Sequence, residues 1–231
     1  MNRRFVAELL GTAFLLCAVV GSGIMGEKLA GGNVALALLA NSLATGAALI
    51  VLILIFAPIS GAHFNPAVTL SMALEGRLSR IEVTTYLLAQ IMGSFLGVWC
   101  AHLMFGHPIL MISQHARGGA SQWFSEWIAT LGLLAVIHGC KRYSTPIIAF
   151  AVGGYITSAY WFTASTSFAN PAVTIARATT NTFAGIRPAD VLPFIIAQIF
   201  GAFVATCLFQ WFEGDKKSRM VPIKHEPDDH Q

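Results

Sequence analysis

Apolar residues along this chain gather into six windows, 5–25, 34–57, 83–105, 122–139, 146–165 and 190–212, with polar or basic segments between them. Windows of this length match a bilayer hydrocarbon core about 30 Å thick, so each predicts a transmembrane helix. An even number of crossings puts both termini on one side. If that side is inside, the inner segments hold Arg3, Arg4, Arg77, Arg80, Lys141, Arg142, Lys216, Lys217, Arg219 and Lys224. The outer loops hold only Lys28, Arg117, Arg177 and Arg187. This excess of inner cations places both termini in the cytoplasm. The first window has a basic flank, Asn2-Arg3-Arg4, but it is long for a signal peptide, contains Glu8 and lacks a small-x-small cleavage site. It reads as a retained first span.

Composition agrees with this pattern. Of 231 residues, 55% are hydrophobic and 11% charged, against about 25% charged in a soluble domain; the mean hydropathy is +0.67. The chain is therefore expected to be an integral, multi-pass membrane protein. The net charge of +3 follows from that topology and does not argue for nucleic acid. Cys17, Cys100, Cys140 and Cys207 lie in or beside apolar windows without a CxxC spacing, and read as small buried hydrophobes. The histidines form no HxxxH or HExxH pattern, so neither metal nor cofactor is predicted. Residues 213–231 read as a polar cytoplasmic tail.

The pentapeptide Asn-Pro-Ala-Val-Thr occurs twice, at 65–69 and 170–174. Aligning the copies brings YLLAQIMGSFLG (86–97) onto FIIAQIFGAFVA (194–205), and places Glu8 and Glu126 early in their respective halves. The chain thus forms one domain, 1–212, made of repeat one (1–107) and repeat two (121–212). Each repeat has three spans, an odd number, so the second enters the membrane inverted. Inverted repeats generate a shared site near the midplane.

Asn65-Pro66-Ala67 and Asn170-Pro171-Ala172 each open a segment of about ten residues, too short to cross the bilayer. Pro suits the first position of a helix and Asn the cap before it. Capping uses the Asn oxygen and leaves its NH2 as an outward donor. The preceding loops, ISGAH and TASTS, are small and polar, and such backbone at membrane depth is tolerated where it lines a cavity or is buried in protein. Two half-helix N-termini meeting at the midplane, each with about half a positive charge, would oppose cations while two Asn amides face the pathway. This pattern predicts a passive channel for uncharged hydroxylic solutes.

Paired NPA motifs in inverted three-span halves, with Glu8 and Glu126 early and Gln90 and Gln198 late, resemble the major intrinsic protein family of aquaporins and aquaglyceroporins. The resemblance covers 1–212. It implies an all-α membrane protein with the aquaporin fold: six transmembrane helices plus two re-entrant half-helices in an inverted repeat. It also implies a homotetramer with a pore in each subunit. In that family, acids matching Glu8 and Glu126 hold the NPA loops through backbone hydrogen bonds, although a proton-relay role is the alternative for intramembrane acids. Gln90 and Gln198 are expected to support the same loops, and His63 to pack against neighbours rather than bind a ligand or sense pH.

The family's outer constriction has four positions. Counting from the NPA motifs puts them at Thr45, Ser158 or a neighbour, Ser167 and Val173. The last is normally Arg. With no aromatic, His or Arg, this set predicts a wide opening and broad permeation by small neutral solutes. Such a Thr/Val-lined filter is similar to that of the bacterial arsenic-associated aquaglyceroporins, which carry neutral metalloid hydroxides. Glycerol, urea, water and arsenite all stand as expected solutes. Arg177, four residues beyond Val173, lies on roughly the same face about 5.4 Å further out. It either restores the missing charge in the outer vestibule or snorkels to headgroups and loop carbonyls. The competing readings are a mainly water-selective channel and an ion-coupled secondary transporter, which would need acidic coupling sites beyond Glu8 and Glu126. Nothing in the sequence supports an enzyme.

Overall fold

The computed structural model describes residues 3–219, with side chains through residue 214. Residues 220–231, the end of the expected tail, lie outside the described residues, as does Lys224 of the inner charge count and the side chains of Lys216, Lys217 and Arg219. Among the described residues every element is an α-helix: α1 (Arg3–Leu29), α2 (Val34–Ser60), α3 (Pro66–Leu74), α4 (Arg80–Phe105), α5 (Ala120–Cys140), α6 (Thr145–Phe162), α7 (Pro171–Arg177) and α8 (Pro188–Arg219). Each of the six apolar windows falls on one of the six longer helices, and the two half-helices begin at the NPA prolines. Five helices, α1, α2, α4, α5 and α8, are long and apolar enough to cross a membrane. The sixth, α6, has 18 residues and is less apolar because it carries Tyr155, Thr157, Ser158 and Tyr160. The chain continues as helix to Arg219, so the first part of the expected tail, 213–219, is the last turns of α8.

The helices start and stop where local chemistry dictates. Asn33 caps α2 by accepting from Leu36 N. Ser79 and Glu82 form a reciprocal capping box on α4, which satisfies two orphan N–H groups. Gly61, at φ 85°, closes α2 in the left-handed region, its N–H returning to Ala57 O. The packing repeats between halves: α1 lies along α4 and α2, α5 lies along α8 and α6, and α2 meets α6 at the centre. Apolar burial does not drive helices together in lipid, so close backbone approach through small residues does that instead. Gly93 and Gly97 on α4 face α1, where an added Cβ would strike Leu9 O and Ala13 O. In the second half a Cβ on Gly201 would lie 2.6 Å from Trp127 O. At the central crossing a Cβ on Gly153 would lie 2.7 Å from Gly46 O. The outward faces carry exposed large apolar side chains such as Phe14, Leu43, Phe124, Ile147 and Phe203, as a surface facing acyl chains requires.

Candidate functional site

The two loops that feed the half-helices are built alike. In the first, Gly61, Ala62 and Phe64 have φ of 85°, 53° and 51°; in the second, Thr166, Ser167 and Ala169 have φ of 61°, 51° and 46°. A non-glycine residue held there costs about 1–3 kcal/mol, so something must hold these loops in place. Glu8, fully buried, accepts from Ser60 Oγ (2.6 Å), His63 N (3.0 Å), Phe64 N (2.7 Å) and Gln90 Nε2 (2.8 Å). Glu126, also fully buried, accepts from Ser165 Oγ (2.6 Å), Phe168 N (2.8 Å), Ala169 N (2.8 Å) and Gln198 Nε2 (2.6 Å). Each Gln amide also donates to the Thr of its own NPAVT, Gln90 to Thr69 (2.9 Å) and Gln198 to Thr174 (2.8 Å). The loop N–H groups are thus spent on the protein side. The carbonyls are the backbone groups left for the cavity that residues 61–64 and 167–169 border.

Between the loops the two NPA asparagines are linked reciprocally. Asn65 Oδ1 accepts from Ala67 N (2.9 Å) and its Nδ2 donates to Ala169 O (2.7 Å). Asn170 Oδ1 accepts from Ala172 N (3.0 Å) and Val173 N (3.3 Å), and its Nδ2 donates to Phe64 O (2.8 Å). Pro66 and Pro171 occupy the first helical positions. The expectation of free outward NH2 groups needs correction: one N–H of each amide ties down the opposite loop. Because an amide carries two N–H groups, one remains at each Asn for a passing oxygen.

A cavity of about 280 Å³ runs past both asparagines. Its apolar wall consists of residues four apart on their helices: Thr45, Leu49 and Ile53 on α2, Ile148, Val152, Ile156 and Tyr160 on α6. Thr45, Ser167 and Val173 all border it. Ser158 does not. It is exposed on the outer face of α6, where its hydroxyl donates to Tyr155 O (2.7 Å). Tyr160 takes its place, its hydroxyl 3.3 Å from Thr45 Oγ1. Counting residues from Asn170 set the right height on the helix but the wrong phase, since two residues rotate a helix by about 200°. The expected absence of an aromatic at the constriction is corrected accordingly. His63 borders the cavity but is engaged with protein, its Nδ1 3.1 Å from Thr69 Oγ1 and its ring edge-on to Tyr86.

Arg177 also borders the cavity and is only 2% exposed. It does not reach out to headgroups, but it engages a loop carbonyl, as the second of the two readings has it. Its Nε donates to Ala184 O, and its guanidinium carbon lies 3.4 Å from the centroid of the Phe168 ring. The other flank of this region is held by Arg117, which the sequence did not single out. Arg117 Nε donates to Gly185 O (2.8 Å), while its terminal nitrogens reach Ser165 O (3.2 Å), Thr166 Oγ1 (3.3 Å) and Phe183 O (3.5 Å). Burial pushes the Arg117 guanidinium down to about 10, so it stays charged at neutral pH. Desolvation, then the charges of Arg117 and Arg177, holds the nearby His115 below the usual histidine range. The only sequence signal for Arg117 is a lone cation in the small-residue stretch 116–119, and its partners are mostly carbonyls, which carry no side-chain signature.

Comparison with known proteins completes the picture. The sequence profile described as "Major intrinsic protein" matches residues 1–145 and 140–228. The chain belongs to that family. It is 54% identical over 211 residues to aquaglyceroporin AqpS of Rhizobium meliloti (strain 1021), covering 91% of this chain and 90% of that one. It is 31% identical over 163 residues to the probable aquaporin TIP2-2 of Oryza sativa subsp. japonica, covering 68% and 66%. The fold matches the crystallographic aquaglyceroporin from Plasmodium falciparum with a TM-score of 0.71 at 20% identity, covering 91% of this chain and 95% of that one. The chain is accordingly a multi-pass membrane channel of the aquaporin fold for water and small solutes, and not an enzyme.

Proposed function

We propose that this channel conducts a broad set of small uncharged solutes: water, glycerol-like polyols, and neutral metalloid hydroxides of the arsenite type. The observation that carries this reading is the lining of the cavity, where Val173, directly after the second Asn-Pro-Ala, shares the wall with Ser167 and with the paired hydroxyls of Thr45 and Tyr160. A triol sliding through meets an apolar stripe on one side and carbonyls with Asn donors on the other. Its carbon or metalloid centre therefore stays against aliphatic side chains while its hydroxyls exchange water for protein partners. A cation has no such exchange, since the N-termini of α3 and α7 both face the midplane. Tyr160 makes the opening narrower than Thr, Ser, Ser and Val alone would, and keeps it polar on that side. The 54% identity to a protein named an aquaglyceroporin supports the inclusion of polyols.

The same reading extends to assembly and placement. The channel works as a homotetramer in the inner (plasma) membrane with both termini cytoplasmic, supported by the family resemblance and by the clustering of basic residues on one side. The test is stopped-flow light scattering on proteoliposomes with water, glycerol and urea gradients, with arsenite uptake measured beside it. Rapid glycerol flux, linear in gradient and indifferent to a proton gradient, is expected. Fast water with every larger solute excluded would refute the broad-solute reading. Saturating flux that follows a proton gradient would instead support a coupled transporter.

A further inference from the structure

Arg177 closes α7 and stands at the outer end of the cavity, yet the permeation pathway described so far makes no use of its charge. The guanidinium is fixed by two contacts. Nε is bonded to Ala184 O, one face lies against the Phe168 ring, and Phe168 is itself pinned by its N–H to Glu126 and by an edge-on contact with Phe194 at 5.4 Å. The carbonyls nearby that could have neutralised it, those of Ser165, Phe183 and Gly185, are engaged by Arg117. Among the described residues no protein acceptor bonds the two Nη groups of Arg177. Ser167 Oγ, 3% exposed and bordering the same cavity, also has no partner. Polar groups of native proteins are rarely left unbonded, so two guanidinium donors bordering one cavity, with no protein acceptor of their own, describe a station for something that passes through it.

We infer that Arg177 is the charge- and specificity-determining residue of the outer constriction, reaching it from one turn beyond the apolar Val173. Its free Nη donors bind the oxygens of a passing neutral hydroxylated solute, and its fixed charge rejects protons and metal cations. Because the guanidinium is stacked on Phe168 rather than standing on Val173's position, it lies against one wall and leaves the bore open to solutes larger than water. This inference rests on the pore reading proposed above.

The experiment uses the full chain in proteoliposomes: wild type, Arg177→Gln, Arg177→Lys and Arg117→Gln. Proton leak is read with an entrapped pH dye under an imposed potential, and glycerol and urea flux by stopped flow. Arg177→Gln is expected to raise proton leak about a hundredfold, the barrier that one unit charge about 6 Å away imposes at an effective dielectric of about 20. Arg177→Lys, which keeps the charge but loses the fork, should retain proton exclusion while shifting the glycerol-to-urea flux ratio. Arg117→Gln, whose side chain makes four bonds that hold loops and whose guanidinium lies farther from the shared Phe168 ring, should lower thermal stability and raise leak less than Arg177→Gln does. Unchanged leak in Arg177→Gln overturns the charge role, and an unchanged solute ratio in Arg177→Lys overturns the contact role. If Arg177→Gln does not assemble, the Arg177→Lys ratio decides. Absence of glycerol flux in the wild type would refute the broad-solute reading itself, whatever the leak.

Discussion

Replacing Glu126 by Gln tests what holds the outer loop. Oε1 accepts from Ser165 Oγ and Phe168 N, and Oε2 from Ala169 N and Gln198 Nε2. An amide keeps one acceptor oxygen and turns the other into a donor, so two of four buried partners would face an N–H group. A hydrogen bond to a charged group contributes about 1.5–3 kcal/mol, and a buried donor left unmade costs about 1–3 kcal/mol. The substitution should therefore destabilise the fold by about 3–6 kcal/mol, with the left-handed residues Thr166, Ser167 and Ala169 released from their clamp. For a chain of this size each kcal/mol shifts Tm by about 2–4 °C, which gives a drop of about 6–24 °C. The assay is a thermal scan of the detergent-solubilised protein followed by size-exclusion chromatography, with glycerol flux measured in parallel. Glu8→Gln should behave alike, because Glu8 holds the first loop through the same four kinds of donor. Ser158→Ala, on the exposed face of α6, should stay within about 2 °C of wild type. If Glu126→Gln melts with wild type yet abolishes a proton-dependent flux, the clamp argument is wrong and the proton-relay reading takes its place.

Other substitutions probe separate parts of the molecule. Gly97→Leu should abolish monodisperse protein on size-exclusion chromatography, because its Cβ would strike Ala13 O and Leu16 Cβ where α4 crosses α1. Val173→Arg should cut glycerol flux by about 10–200-fold, the range expected when a pocket loses room for a small group, while water flux persists in stopped-flow traces. Tyr160→Phe removes the hydroxyl paired with Thr45; the glycerol-to-urea ratio should shift by no more than about fivefold, the equivalent of about 1 kcal/mol for a neutral hydrogen bond.

How far the sequence disclosed this site differs by the kind of interaction. The clamps were legible through the family resemblance, which the matching places of Glu8 and Glu126, Gln90 and Gln198 in the two repeats carry; the residues alone left a proton relay open. The half-helices were legible because Asn-Pro fixes both a cap and a first turn within two residues. The α6 wall was not. Ser158 and Tyr160 are two residues apart and differ by more than half a helical turn, so a residue count that is right for depth still chooses the wrong face. Arg117 was invisible for another reason: it bonds backbone carbonyls of residues 165, 183 and 185, and no letter marks a carbonyl that lacks a partner. The left-handed conformations of Ala62, Phe64 and Ser167 were hidden too, since only Gly61 among those positions advertises such freedom.

The cross-linked asparagines join folding to conduction. Asn65 Nδ2 bonds the loop of the second half and Asn170 Nδ2 the loop of the first, so neither loop is complete within its own repeat. Either half alone would leave an Asn donor and a carbonyl at membrane depth without their protein partners, where water is not at hand to replace them. The two repeats are therefore not independent modules that happen to touch. Each supplies the group that finishes the other's turn into its half-helix, and the N–H left over on each amide is the one turned to the solute. The pore's polarity at the midplane is what remains after the halves have satisfied each other. That is why the Asn must be an amide: an aspartate could cap the half-helix equally well, but it would have no N–H either for the opposite carbonyl or for the passing oxygen.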